Sequence, residues 1–124
     1  GDFTREAGLR AAGHLREQCP STTAVVAAND KMAIGFLTGL REAGVTVPDA
    51  MSVVGFGDIP AASDSDPPLT TVTIPLREVG RLAMEQLFHQ IAGEPSTTPA
   101  IPTTLAIRRS AAPPRRSADP RPSG

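Results

Sequence analysis

Residues 23–44 read TAVVAANDKMAIGFLTGLREAG, and this stretch decides the fold class. The apolar run at 23–28 is too short for a helix and carries two valines, which suits a strand buried on both faces, as in a parallel sheet. Two polar residues follow at once. Asn29 and Asp30 stand at the end of that strand and can cap the helix that comes next. Met32, Ala33, Phe36, Leu37 and Leu40 then fall at helical spacing over about 30–43, and Gly44 is a natural C-terminal stop. A buried strand running straight into an amphipathic helix is the repeating unit of an α/β sheet.

The pattern extends in both directions. Upstream, residues 4–18 predict a helix with Thr4 as N-cap, Glu6 in the first turn and Leu9, Ala12 and Leu15 on one face. Downstream, MSVVGF at 51–56 is a second buried strand. A turn-rich loop, GDIPAASDSDPP at 57–68, leads to a third strand, LTTVTI at 69–74. Pro75 can open a helix over 76–92, whose apolar stripe is Leu76, Val79, Ala83, Leu87 and Ile91. Gly93 and Pro95 close it, and TTLAIR at 103–108 is a last strand. The order α-β-α-β-β-α-β predicts a parallel α/β sheet flanked by helices, with a first strand preceding the opening helix. From Ser110 onward, SAAPPRRSADPRPSG offers no apolar anchor and is expected to be a disordered Pro/Arg-rich tail, so the folded unit is taken as 1–109 and the tail as 110–124.

Composition removes several classes of function. With 124 residues, 40% apolar content and a net charge of −1, the chain fits one ordinary globular domain. No apolar run approaches the roughly 18 residues of a membrane span. Cys19 is the single cysteine, so neither an internal disulfide nor a cysteine-based zinc site is available, and a semi-buried, inert thiol is expected. Arg108, Arg109, Arg115 and Arg116 form the one basic cluster, at a Pro-rich end and without Trp or Tyr nearby, which does not make a nucleic-acid-binding face. Gly55 and Gly57 lack the third glycine and following helix of a phosphate-binding loop. His14 and His89 lie far apart in separate helices and are read as surface residues. No catalytic set, metal site or cofactor is expected.

In open α/β sheets ligands bind beyond the carboxyl ends of the strands. That rule selects Asn29 and Asp30, then Gly57 and Asp58, then Thr73 to Leu76. The Asn29 amide both donates and accepts, as a ligand hydroxyl requires, although capping its helix would explain it equally well. Asp58 is either a turn former or a ligand acceptor.

Three segments in order also resemble one family. GDFTREAG at 1–8 is similar to a Gly-Asp-aromatic-Ser/Thr helix start. The block 20–60, with its Ala-Ala-Asn-Asp run, Val-Pro turn and SVVGFGD strand end, and the segment DPPLTTVTIPLREVGRLAMEQL at 66–87, resemble the lactose-repressor/galactose-repressor (LacI/GalR) family of transcriptional regulators. The resemblance runs from Gly1 to about Ser110. It implies a partial type I periplasmic-binding-protein-like fold, mostly the C-terminal subdomain, in which the helix at 76–92 packs on the other subdomain. It implies a sugar-like effector as partner, contacted at Phe3, Asn29, Asp58 and Leu76, with no cofactor. It also implies a cytoplasmic homodimer meeting near Ile34, Ser63, Ser65 and Asp66, and operator DNA gripped only by a helix-turn-helix upstream. One departure stands out: Gly57 replaces the first residue of the family's Asp-Asp pair. The absence of a large aromatic around Ser65 implies a different or weaker interface. An exported sugar-binding protein of a transporter and an inert truncated fragment remain alternatives of a different class.

Overall fold

Strand β1, Ala24–Val26, runs alongside β2, Ser52–Gly57, in parallel, with Val25 level with Val53. The computed structural model describes residues 2–95, 97 and 99–113. Strand β3, Thr70–Thr73, adds in parallel to β2, and β4, Thr104–Ala106, returns antiparallel to β3. The four strands lie in sequence order. Helix α1 is Arg5–Gln18, α2 Asp30–Glu42 and α4 Leu76–Ile91; a short helix α3, Pro60–Asp64, interrupts the expected loop, with its proline in the first turn.

The core lies between α2 and the sheet. Ala33, Phe36, Leu37 and Leu40 of α2 meet Val53 of β2, with Ala12, Met51, Ala62 and Leu69 closing the edges. Helices α1 and α2 approach until their backbones touch. A Cβ built on Gly8 would lie 2.0 Å from the Met32 carbonyl oxygen, and one on Gly35 1.9 Å from the Arg5 carbonyl oxygen. Thr4 caps α1, accepting from the Ala7 N–H, and Gly44 and Gly93 end α2 and α4 at φ +71° and +70°.

Strand alternation leaves the other sheet face apolar and open. Val26 is 76% exposed and Phe56 42%, level with Val54 and Val72 of their neighbours. Strand β1 is therefore not buried on both sides as expected: among the described residues it lies at the edge of the sheet and no helix covers its second face. Helix α4 likewise buries none of its residues, and Leu76, Leu87 and Ile91 of its stripe are exposed.

Two further expectations need correction. Cys19 is exposed, because it is the C-cap residue of α1 and the helix ends before its side chain can turn inward. Ser110, expected to open the disordered tail, is fully buried. Its hydroxyl donates to the Val53 carbonyl at 2.5 Å and accepts from the Thr70 N–H at 2.8 Å, while its carbonyl accepts from the Val53 N–H at 2.7 Å. A small hydroxyl is held here by polar partners at the start of β2 and β3, so apolar content was the wrong guide. The rest of the expected tail, from 114 on, lies outside the described residues.

Candidate functional site

The carboxyl ends of β1, β2 and β3 form one rim, and the turns that leave them carry the site. Asn29 follows β1 and takes the N-cap position of α2, its Oδ1 accepting from the Met32 N–H at 2.8 Å. Its Nδ2 donates to the Phe3 carbonyl at 3.1 Å. Asn29 thus caps its helix, as one of its two readings expects, and also pins the turn before α1. One amide hydrogen and one lone pair of the side chain remain for a further partner. Phe3 adopts the left-handed region at φ +55°, with 61% of its surface exposed at the rim. For an aromatic residue this conformation is strained, and the Asn29 bond helps to hold it.

Asp58 follows β2, also left-handed at φ +54°. Its carboxyl is already engaged: Arg108 donates to it at 2.7 Å and the Thr73 hydroxyl at 2.9 Å. Arg108 also donates to the Leu69 carbonyl at 2.9 Å. The arginine expected in a basic cluster is therefore a tie from the end of β4 to the β2 turn, with only 23% of its side chain exposed. The Arg108 guanidinium, and then the Thr73 hydroxyl, hold the Asp58 carboxyl below the usual carboxylate range. A depressed folded-state pKa means that the pair contributes stability above the unfolded-chain value of about 3.9, and loses it as pH falls through the lower folded value. Asp58→Asn should therefore flatten the loss of stability in that acid window, read as a smaller difference in denaturant midpoint between pH 6 and the acid limb.

Gly57 sits at φ +127°, and a Cβ there would meet only Asp30 Oδ2, at 3.6 Å. The backbone conformation itself calls for glycine at this position. Leu76 opens α4 beyond β3 and is 69% exposed. Phe3 and Asn29 are thus joined by a direct bond, and Asp58 is joined to Thr73 and Arg108. Leu76 belongs to the same end of the sheet by topology.

The strand-end rule picks out Asp30, but the sequence did not show that it is buried at the centre of the rim. Asp30 is 1% exposed. Its Oδ1 accepts from the Thr71 hydroxyl at 2.5 Å and its Oδ2 from the Ile59 N–H at 2.8 Å. The one sequence signal was an acidic residue directly after an apolar strand, which capping by a neighbour does not require.

Two depressions flank α1 and α2, the first of them reaching Ala27, Ala28 and Met32 beside the β1 end of the rim. One of about 280 Å³ runs under α1 against β1 and is lined by Ala11, Leu15, Val25 and Phe36 among others. Another, of about 360 Å³, lies between α2 and α3. Ile34, Ser65 and Asp66, expected at a subunit interface, line the second with Arg5 and Arg41. Ser63 is exposed on α3, its hydroxyl donating to the Pro60 carbonyl at 2.8 Å. Among the described residues no cluster of metal-ligating side chains occurs, and no helix is long and apolar enough to cross a membrane.

Residues 2–111 match the family described as periplasmic binding protein-like domain. The HTH-type transcriptional repressor CytR of Escherichia coli (strain K12) is 42% identical over 94 residues, covering 76% of this chain and 28% of that protein. The lactose operon repressor of Rhizobium radiobacter is 41% identical over 95 residues, 76% of this chain and 84% of that one. A solved complex of the transcriptional regulator CelR with cellobiose superposes with a TM-score of 0.80 at 37% identity, over 90% of this chain and 35% of that one. The chain thus spans about a quarter of the length of CytR, and the fold it shares with these regulators is their effector-binding one. With the match running through the strand-end rim and on to the buried Ser110, the chain belongs to the periplasmic-binding-protein-like domain family, among the LacI-type transcriptional regulators.

Proposed function

We propose that this chain supplies one wall of the effector cleft of a LacI-type repressor, and that its effector is a neutral sugar or sugar derivative. The observation that carries the reading is the Asn29 side chain. It stands at a strand end, is fixed on two sides, and keeps one donor and one acceptor for a ligand hydroxyl. Phe3, whose carbonyl Asn29 holds, is exposed and carries a ring of the kind that packs on a sugar face. Charge supports a neutral ligand: Asp58 is neutralised by Arg108, and Asp30 is buried under two donors. Cellobiose bound to the similar CelR makes a disaccharide the first probe.

The open sheet face and the unburied α4 supply apolar surface for a second subdomain, and effector binding works by shifting the balance between open and closed arrangements of the two. Operator DNA is held by a separate helix-turn-helix in a cytoplasmic homodimer meeting near Ile34, Ser63, Ser65 and Asp66. No step of covalent chemistry is required. The test is operator affinity of the whole regulator with and without cellobiose and a small panel of neutral and phosphorylated sugars. A neutral sugar should change operator affinity by about 5- to 150-fold, the usual range of such coupling. Response to phosphorylated sugars alone would contradict the neutral-site reading.

A further inference from the structure

The buried carboxyl of Asp30 has no part in the ligand contacts just described, yet it reaches both the β2 turn and strand β3. It leaves the first residue of α2 and passes across β2 where Gly55 has no side chain: a Cβ there would lie 2.2 Å from Asp30 Oδ1. Beyond that gap it meets Thr71 of β3 at 2.5 Å, and on its other oxygen the Ile59 N–H at 2.8 Å. Ile59 directly follows Asp58 and Gly57, whose φ values of +54° and +127° define the β2 turn. The preceding residue, Asn29, holds the Phe3 turn. Two adjacent side chains therefore tie the turns at Phe3 and at 57–59, and strand β3, to the start of one helix.

We propose that Asp30 is a positioning residue of the effector site, setting the β2 turn at a fixed distance from Asn29 so that both present to one ligand. This rests on the reading of the rim as the effector wall. Without the carboxyl, the Ile59 N–H and the Thr71 hydroxyl lose their shared acceptor, and the 57–59 turn is released while the core on the other side of α2 keeps its contacts. Asn at this position satisfies both groups. Its oxygen accepts from Ile59, and its amide donates to the Thr71 hydroxyl, which can turn to accept.

The experiment is amide hydrogen exchange on the full chain for wild type, Asp30→Ala, Asp30→Asn and Thr71→Val, joined to calorimetric titration with cellobiose. In Asp30→Ala, exchange at Ile59 should rise about tenfold or more beyond the change at Leu37 and Leu40, since a buried donor has lost its acceptor. Asp30→Asn should return Ile59 to within about threefold of wild type, and Thr71→Val should fall between the two, which keeps the test open if Asp30→Ala does not fold. Cellobiose affinity should follow the same order. Exchange at Ile59 that moves only in step with Leu37 and Leu40 in all variants would overturn the proposal, as would alanine and asparagine acting alike. If wild type does not bind cellobiose, that probe's case for a sugar effector fails, and the exchange order still decides the role of Asp30.

Discussion

Gly35→Ala should destabilise the fold by about 2–3 kcal/mol, as large an effect as any single added methyl group here should have. Two effects of opposite sign compete. Alanine is the better helix former by about 1 kcal/mol, which favours the variant. Against it, the new Cβ would lie 1.9 Å from the Arg5 carbonyl oxygen and 2.8 Å from its carbon, and both are backbone atoms that no rotamer change can move. Helices α1 and α2 must separate, and the contact that Ala12 makes with the core opens with them. Overpacking wins. Gly80→Ala in α4 is the control, since a Cβ there meets nothing within 4 Å. It should gain about 0.5–1 kcal/mol by the same propensity argument. Denaturant midpoints at unchanged slope read both. A neutral Gly35→Ala would mean that the two helices are less closely apposed than described.

Asn29→Ala should show two losses at once. Removing the cap and the Phe3 bond costs about 1–2 kcal/mol of stability, read in the same unfolding experiment. Effector response should weaken by about a further 1–3 kcal/mol, because a ligand hydroxyl buried against the rim is left without its partner. Asn29→Ser separates the two, since serine caps a helix about as well as asparagine but is too short to reach both Phe3 and a ligand. A stability loss smaller than that of alanine, with a lost response, is the expected outcome for serine. Full induction in a stable serine variant would remove Asn29 from the binding surface.

Much of this architecture is legible in the sequence because it is written in local patterns. The stripe Met32, Ala33, Phe36, Leu37 and Leu40 and the stop at Gly44 place α2 directly, and observed Asp30–Glu42 agrees with the expected 30–43. Helix α3 is hidden in 57–68, since five residues are too few to show a period, and Pro60 was read as a turn residue although it also starts helices. What the sequence conceals is pairing across distance. Asp30 meets Thr71, Arg108 meets Asp58 and Ser110 meets Val53, and each partner is chosen by the folded sheet. Local patterning reports which residues are apolar and how they are spaced. It carries no information on which polar residue will be buried by a matching donor. Asn29 is legible because the strand-end rule picks it out; Asp58 is picked by the same rule, and its charge is then found to be satisfied by an arginine 50 residues away.

The most direct measurement is the NMR signal of the Asn29 side-chain amide in the complete protein during titration with cellobiose. This amide, the Phe3 ring and the 57–58 backbone should shift together and saturate at one dissociation constant. Saturable shifts confined to the apolar groove between α1 and β1, with Asn29 and Phe3 unmoved, would contradict it.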